Sequence, residues 1–363
     1  MAKEYTYTKE VDKSGKITLK VQVQKEKFAA TKEKTYTRLS QDVKVSGFRP
    51  GKAPKAVIES KIGPDLFEKT LNDLLPEVTF DILQEEGLEP LNRLKYNVKK
   101  VSDDEGVEYE AEFVEYPKFK LGDMKKIKVK EEAVEVAKED IDAEKKRILD
   151  IYNKQKKAEA DSDKKEYTDA TELTDAIVTD MKLGMDTVAK LEEQIKHQLE
   201  HQKKHLAEDK KVQDMLDEAI KLSKIKVPQA IVDEEIERQE ADYKARIEQL
   251  GLKLEDFLKA QKTSLDELKK TWNESAEKRI ATELLLFEIV KVEKIQVTQE
   301  ELSREIASIQ DPKMKEEYAS EAGQRFVMSV ILQQKAINWL RETVEGKKQP
   351  AIIIPEGVDT GKE

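Results

Sequence analysis

The chain has 363 residues and carries 76 acidic against 66 basic side chains, a formal net charge of −10. That length supports two or three domains, each with its own core. Charged residues make up 39% and aromatics 6%, which suits long solvated amphipathic helices more than a densely packed enzyme, and the absence of cysteine excludes disulfides and thiol catalysis.

The lack of cysteine agrees with a reducing cytosol. Met1-Ala2-Lys3-Glu4-Tyr5 lacks the apolar core of a signal peptide. The longest apolar run, Ala281 to Val290, is interrupted by Glu283 and Glu288 and is too short to span a bilayer. The expectation is a soluble, cytoplasmic protein with no membrane partner.

Residues 1–24 read as a β-hairpin. Ile17, Leu19, Val21 and Val23 alternate with Lys16, Thr18, Lys20 and Gln22, and Asp12-Lys13-Ser14-Gly15 supplies the turn. A helix over 26–42 leads into Gly47-Phe48-Arg49-Pro50-Gly51-Lys52-Ala53-Pro54. Glycines permit positive φ and prolines fix φ, so this loop is expected to be stiff and sharply turned, holding Phe48 and Arg49 out with little ordering entropy left to lose on binding. From Arg38 to Lys61 six basic residues stand against two acidic ones. Residues 1–115 as a whole hold 20 basic and 22 acidic residues, so the positive charge is local to the loop and no broad nucleic-acid face is implied. The plainer alternative is a turn with Phe48 tucked into the core.

The octapeptide resembles the ribosome-docking loop of the trigger factor family, bacterial chaperones that sit at the exit of the ribosomal tunnel. The resemblance implies docking of Gly47, Phe48, Arg49, Pro50, Gly51 and Lys52 on the large ribosomal subunit, against a tunnel-exit protein and ribosomal RNA. Phe48, Arg49 and Lys52 would make the contacts. The family often carries lysine where this chain has Pro50.

Beyond the loop, Pro54 is placed to start a short helix that Gly63 ends. Pro64 opens another through Glu86, with Leu66, Phe67, Leu71, Leu74, Leu75, Val78, Ile82 and Leu83 as its apolar stripe and a kink expected at Pro76. Strands follow from Arg93 to Val101 and over Val107, Tyr109, Ala111 and Phe113, which alternate with glutamates. Residues 1–115 therefore read as an α+β domain with one antiparallel sheet, and the resemblance covers all of it.

Residues 116–172 form a linker region: an extended stretch to 135, a helix from about Lys138 to Lys157 with Ile141, Ile148 and Ile151 inward, and the polar run Ala158–Lys165. Most members of the resembled family insert a prolyl-isomerase domain of the FK506-binding type between that helix and the stretch resembling Leu173-Thr174-Asp175. About twenty residues stand there here, without the aromatic and glycine residues to wall a proline pocket. No isomerase activity is expected.

From Leu173 to Val344 the pattern is almost entirely helical. Asp186 is placed to cap a helix beginning at Thr187, and Pro228 suits a first helical position. Ser264-Leu265-Asp266-Glu267 and Thr298-Gln299-Glu300-Glu301 fit the capping box. Asp311-Pro312 opens a last helix ending near Gly346. The fold expected for 173–345 is an extended all-α domain, and the resemblance implies two helical arms, roughly 228–292 and 297–345, around a cradle for unfolded chains. Residues 346–363 are a tail to which no function is assigned.

Three histidines, His197, His201 and His205, recur every fourth residue on one helix, a spacing that places metal ligands on a common face. At 100° per residue from Ile195, Leu191, Leu199 and Leu206 lie within about 40° of it, whereas the histidines fall at about 200°, 240° and 280°. A solvated polar face is therefore favoured over a metal centre. The carboxylate pairs Glu192-Glu193 and Asp233-Glu234-Glu235 read as solubilising. No Gly-x-Ser-x-Gly or phosphate-loop motif occurs. The reading is no enzyme, no cofactor and no metal.

Met181, Met185, Met215, Met314 and Met328, with Phe257, Phe287, Phe326, Trp272 and Trp339, are candidates either for helix packing or for promiscuous client contact. Phe326, Met328 and Ile331 are selected as the client-binding residues. The function these readings support is an ATP-independent chaperone that shields nascent polypeptides at the ribosome, with a homodimer off the ribosome implied by the resemblance. The alternatives are a free cytosolic holdase or assembly scaffold, a residual prolyl isomerase, and an export chaperone, which would require a signal sequence.

Overall fold

A computed structural model describes residues 4–42, 55–130, 134–163, 167–182 and 184–346. The chain clusters into two compact units, Met1–Lys120 with Ile225–Leu284 and Leu121–Lys224 with Leu285–Glu363.

The first unit is built on a four-stranded antiparallel sheet of β1 (Tyr5–Val11), β2 (Lys16–Val23), β3 (Lys95–Ser102) and β4 (Gly106–Val114), in the order β1-β2-β4-β3. The alternation read in β2 and β4 sets their register. Ile17 lies opposite Phe113, Leu19 opposite Ala111, Val21 opposite Tyr109 and Val23 opposite Val107, and all eight are buried. The opposite face carries cross-strand ion pairs, Lys20–Glu10 at 2.6 Å, Lys16–Glu112 at 3.0 Å and Lys99–Glu110 at 2.9 Å. In the first hairpin turn the Asp12 carboxylate accepts from the Ser14 hydroxyl at 2.7 Å and from the Ser14 and Lys16 amides at 2.8 and 2.9 Å. Those bonds, the Ser14 hydroxyl's first, hold the carboxyl below its ordinary value. In the second hairpin Gly106 adopts φ +91°, and a Cβ there would sit 2.0 Å from the Val23 carbonyl oxygen, so only glycine fits.

Helices α1 (Lys25–Asp42) and α2 (Lys55–Glu86) share the apolar core with the sheet. Phe28 of α1 and Leu74, Val78 and Ile82 of α2 are fully buried. The break expected at Gly63-Pro64 does not occur, and α2 runs on through both residues and through Pro76. Proline disfavours helical backbone in the preceding residue by clashing with its Cβ. Gly63 has none, so that one clash is absent there, but Leu75 carries a Cβ before Pro76 and the helix runs on at that position too. Within the core the Thr79 hydroxyl and the Tyr109 phenol lie 2.9 Å apart, and burial pushes the phenol's pKa up.

Three later helices, α6 (Gln229–Gln249), α7 (Leu254–Gln261) and α8 (Leu265–Val292), follow Pro228, which stands one residue before α6 as its cap. Val232, Ala276, Ile280 and Leu284 make a second core with Leu91, Tyr116 and Phe119. Glu234 accepts from Asn92 at 2.7 Å and pairs with Lys95 at 2.7 Å, and the Ala230 amide bonds Ser14 O at 3.1 Å. Burial would raise the Glu234 carboxyl, but those two partners outweigh it and hold it below its ordinary value. The Ser264–Glu267 reciprocal cap forms as expected.

The second unit contains α3 (Lys138–Asp163), α4 (Asp175–Asp180), α5 (Val188–Ser223), α9 (Gln299–Ser308), α10 (Pro312–Ala319) and α11 (Glu321–Glu345). Helix α3 runs six residues past the expected Lys157 end, through much of the polar run. Alanine and glutamate are strong helix formers, and Lys156–Glu159 adds a pair at 3.2 Å. Ile151 is not inward but about half exposed. Leu149 is buried instead, because the buried face of α3 is centred between Ile148 and Leu149. Thr187, not Asp186, caps α5, accepting from the Lys190 amide at 3.3 Å, while Asp186 pairs with the Lys190 ammonium at 2.7 Å. The Thr298–Glu301 capping box forms. The last helix is broken in two: Ser320 caps α11 by accepting from the Gly323 amide at 3.1 Å. A Cβ on Gly323 would lie 2.3 Å from the Glu317 carbonyl oxygen, so that glycine lets α10 fold against the start of α11.

Thr79→Val keeps the shape of the core but removes the better partner of the Tyr109 phenol, leaving Leu75 O at 3.4 Å. Urea unfolding monitored on the sheet is expected to show a loss of about 1–3 kcal/mol, and an unchanged midpoint would contradict this account of the core.

Candidate functional site

The loop residues Gly47, Phe48, Arg49, Pro50, Gly51 and Lys52 lie outside the described residues. What is described are the helices on either side of them in sequence, α1 (Lys25–Asp42) and α2 (Lys55–Glu86). Near the end of α1 the Asp73 carboxylate of α2 accepts from the Thr35 hydroxyl at 2.9 Å and pairs with Arg38. At the start of α1 the Lys27 ammonium reaches Glu77 at 2.6 Å and Glu4 at 3.5 Å, and Glu77 chiefly raises its pKa. Between these links Lys32 stands 4.3 Å above the Phe67 ring and 2.6 Å from Asp103. Each exposed link is weak by itself, but together they fix two helices that already share a core with the sheet.

The expected client residues sit on α11. Its buried residues fall on two faces, Gly323 and Val327 on one and Ala336 and Leu340 about 180–220° round the helix from Val327. Phe326 lies about 100° to one side of Val327 and Met328 about 100° to the other, with half-buried Ile331 near Met328. The structure thus places Phe326 and Met328 on opposite sides of buried Val327 and does not gather the three into one patch. Each of the two is 37% exposed. The Phe326 ring stacks on Tyr318 of α10, centroids 5.7 Å apart at 15°, and exposed Met314 lies one turn earlier on α10. The C-terminal half of α11 is pinned by ion pairs and a backbone contact. Lys335 donates to Gln296 O at 2.8 Å and pairs with Glu301 at 2.7 Å, and Lys211 of α5 pairs with Glu345 at 2.8 Å. The Lys335 bond, with the Thr298 amide, holds the Glu301 carboxyl below its ordinary value.

Other candidates separate. Met215 is fully buried and Met185 packs on the Val178–Leu191–Ile195 core, so both are structural. Phe257 and Trp272 pack edge-on against Tyr243, at 6.3 and 5.5 Å. Phe287 is exposed. Sequence reasoning missed Phe80 on α2 and Leu250 and Leu252 at the α6–α7 turn, all exposed. The signal for the leucines was available, since both flank Gly251 and a turn offers no stripe to bury them. Among the described residues no group of three or more metal-ligating side chains converges, and no helix is long and apolar enough to cross a membrane.

Two sequence models of one family match most of the chain, bacterial trigger factor protein over residues 5–148 and its C-terminus over residues 187–342. Trigger factor of Staphylococcus saprophyticus is 22% identical over 387 aligned positions, covering 84% of this chain and 89% of that protein. Trigger factor of Bacillus subtilis is 25% identical over 372 positions, covering 80% and 88%. A solved trigger factor chaperone structure aligns with TM-score 0.40 and 16% identity over 93% of this chain and 100% of that one. Both sequence alignments are longer than this chain, so the relatives carry inserted residues that it lacks. The chain belongs to the bacterial trigger factor family of chaperones, in a form that joins the family's N- and C-terminal parts without the domain usually set between them.

Proposed function

We propose that this protein is an ATP-independent, ribosome-associated chaperone that works in the cytoplasm and shields nascent polypeptides at the tunnel exit. Residues 1–115 act as the ribosome-binding part, 116–172 as a linker and 173–345 as the client-binding part, with 346–363 as a tail. The observation that carries the reading is the Gly47–Lys52 loop, which falls inside the matched N-terminal stretch and between two helices locked to the sheet. Phe48 supplies apolar contact to a tunnel-exit protein, and Arg49 and Lys52 neutralise phosphates of the large-subunit RNA. Clients are held by exposed apolar side chains, Phe326, Met328 and Ile331 among them, without a covalent step. With only 149–186 between the two matched stretches, the protein performs no prolyl isomerisation. Off the ribosome it pairs as a homodimer, by analogy with the family.

Sedimentation with purified ribosomes is expected to carry the chain into the large-subunit fraction at low salt and progressively less as salt rises, since phosphate contacts release counterions. Phe48→Ala with Arg49→Ala is expected to weaken binding by about tenfold or more. Unchanged co-sedimentation of that variant would overturn the docking assignment. In an aggregation assay with a denatured client, Phe326→Ser with Met328→Ser is expected to lower protection while helix content is retained. Equal protection by the two proteins would remove those residues from the client surface.

A further inference from the structure

We infer that His201 and His205 on α5 form an open, two-imidazole site for a borderline divalent transition ion, Cu²⁺ most tightly and Ni²⁺ or Zn²⁺ less so. Residues four apart on a helix lie about 40° apart and about 6 Å along the axis, so their side chains reach the same point in solvent. The structure brings these two rings to 4.4 Å between centroids at 62°, and both residues are exposed. His197 stands one turn earlier, also exposed, with its ring outside that pairing. Lys203, between the two ligands in sequence, projects about 200° from His201 and is engaged with Glu135 O at 3.0 Å and with Asp140, so no ammonium from that position crowds the pair. With two protein ligands and no third converging among the described residues, water completes the coordination. Imidazole donors favour late first-row ions over Mg²⁺ and Ca²⁺, and the Irving–Williams order places Cu²⁺ first.

The position gives such an ion leverage on the fold. Between Ile195 and Met215 no residue of α5 is buried, so tertiary packing holds this stretch least. A chelate that spans one turn exists only while the turn is helical, so the ion stabilises that stretch by mass action. It acts as a clip on the middle of a 36-residue helix.

The test is titration of the full-length, untagged chain with Cu²⁺, read by electron paramagnetic resonance, together with hydrogen exchange in the presence of Zn²⁺. The expected result is one tightly held Cu²⁺ with two nitrogen couplings, and slowed amide exchange centred on residues 197–209. His201→Gln or His205→Gln is expected to weaken Cu²⁺ binding by about 10–100-fold and abolish the slowed exchange, whereas His197→Gln leaves both unchanged. Two results overturn the assignment: His197→Gln costing as much as His205→Gln, or a His201→Gln/His205→Gln chain binding as tightly as the parent through its many carboxylates.

Discussion

The N-terminal unit depends on one apolar contact, the inner face of the sheet against α2. Leu19, Val21, Val23, Tyr109 and Phe113 meet Leu74, Val78 and Ile82, and each is almost wholly withdrawn from water. Burying a side chain of that size is worth roughly 1.5–3 kcal/mol, far more than any of the exposed ion pairs around it. That contact fixes α2, and α2 fixes α1 through Asp73 and Glu77, the two helices that stand on either side of residues 43–54 in the chain. The docking role proposed for Phe48 and Arg49 needs such a frame, because a loop on a yielding base would lose on binding the ordering entropy that its prolines save.

Charge plays a different part. The outer face of the sheet is a lattice of lysine–glutamate pairs, and most other ion pairs join residues one helical turn apart or link neighbouring helices at the surface. With a net charge of −10 they keep a chain with exposed leucine, phenylalanine and methionine side chains dispersed in water. That balance suits the client shielding proposed above. The positive loop is the local exception, which is why its salt dependence is diagnostic.

Much of this was legible in the residues. Alternation in β2 and β4 predicted both strands and their buried faces, and the Ser264 and Thr298 signatures predicted two caps that form. The family was readable from eight residues. Features set by a single atom or by distant partners were harder. Helix α2 runs on through Gly63-Pro64 although both residues disfavour a helix interior, and the corner before α11 exists because Gly323 lets Glu317 come close. Leu149 displaces Ile151 by a matter of helical phase. The grouping of α6 with the sheet rests on Glu234 meeting Asn92 and Lys95, partners about 140 residues away that no local pattern announces. The residues proposed for client contact show the same limit: composition selected Phe326 and Met328, but only the packing of Val327 shows that they face apart.

The most direct test of the central claim is to place a benzophenone side chain at Phe48 and irradiate the full chain bound to ribosomes. The account predicts a covalent adduct with a component of the large subunit at the tunnel exit, lost when Arg49 is also replaced by alanine. Adducts confined to the protein's own chain, with none to the large subunit, would contradict it.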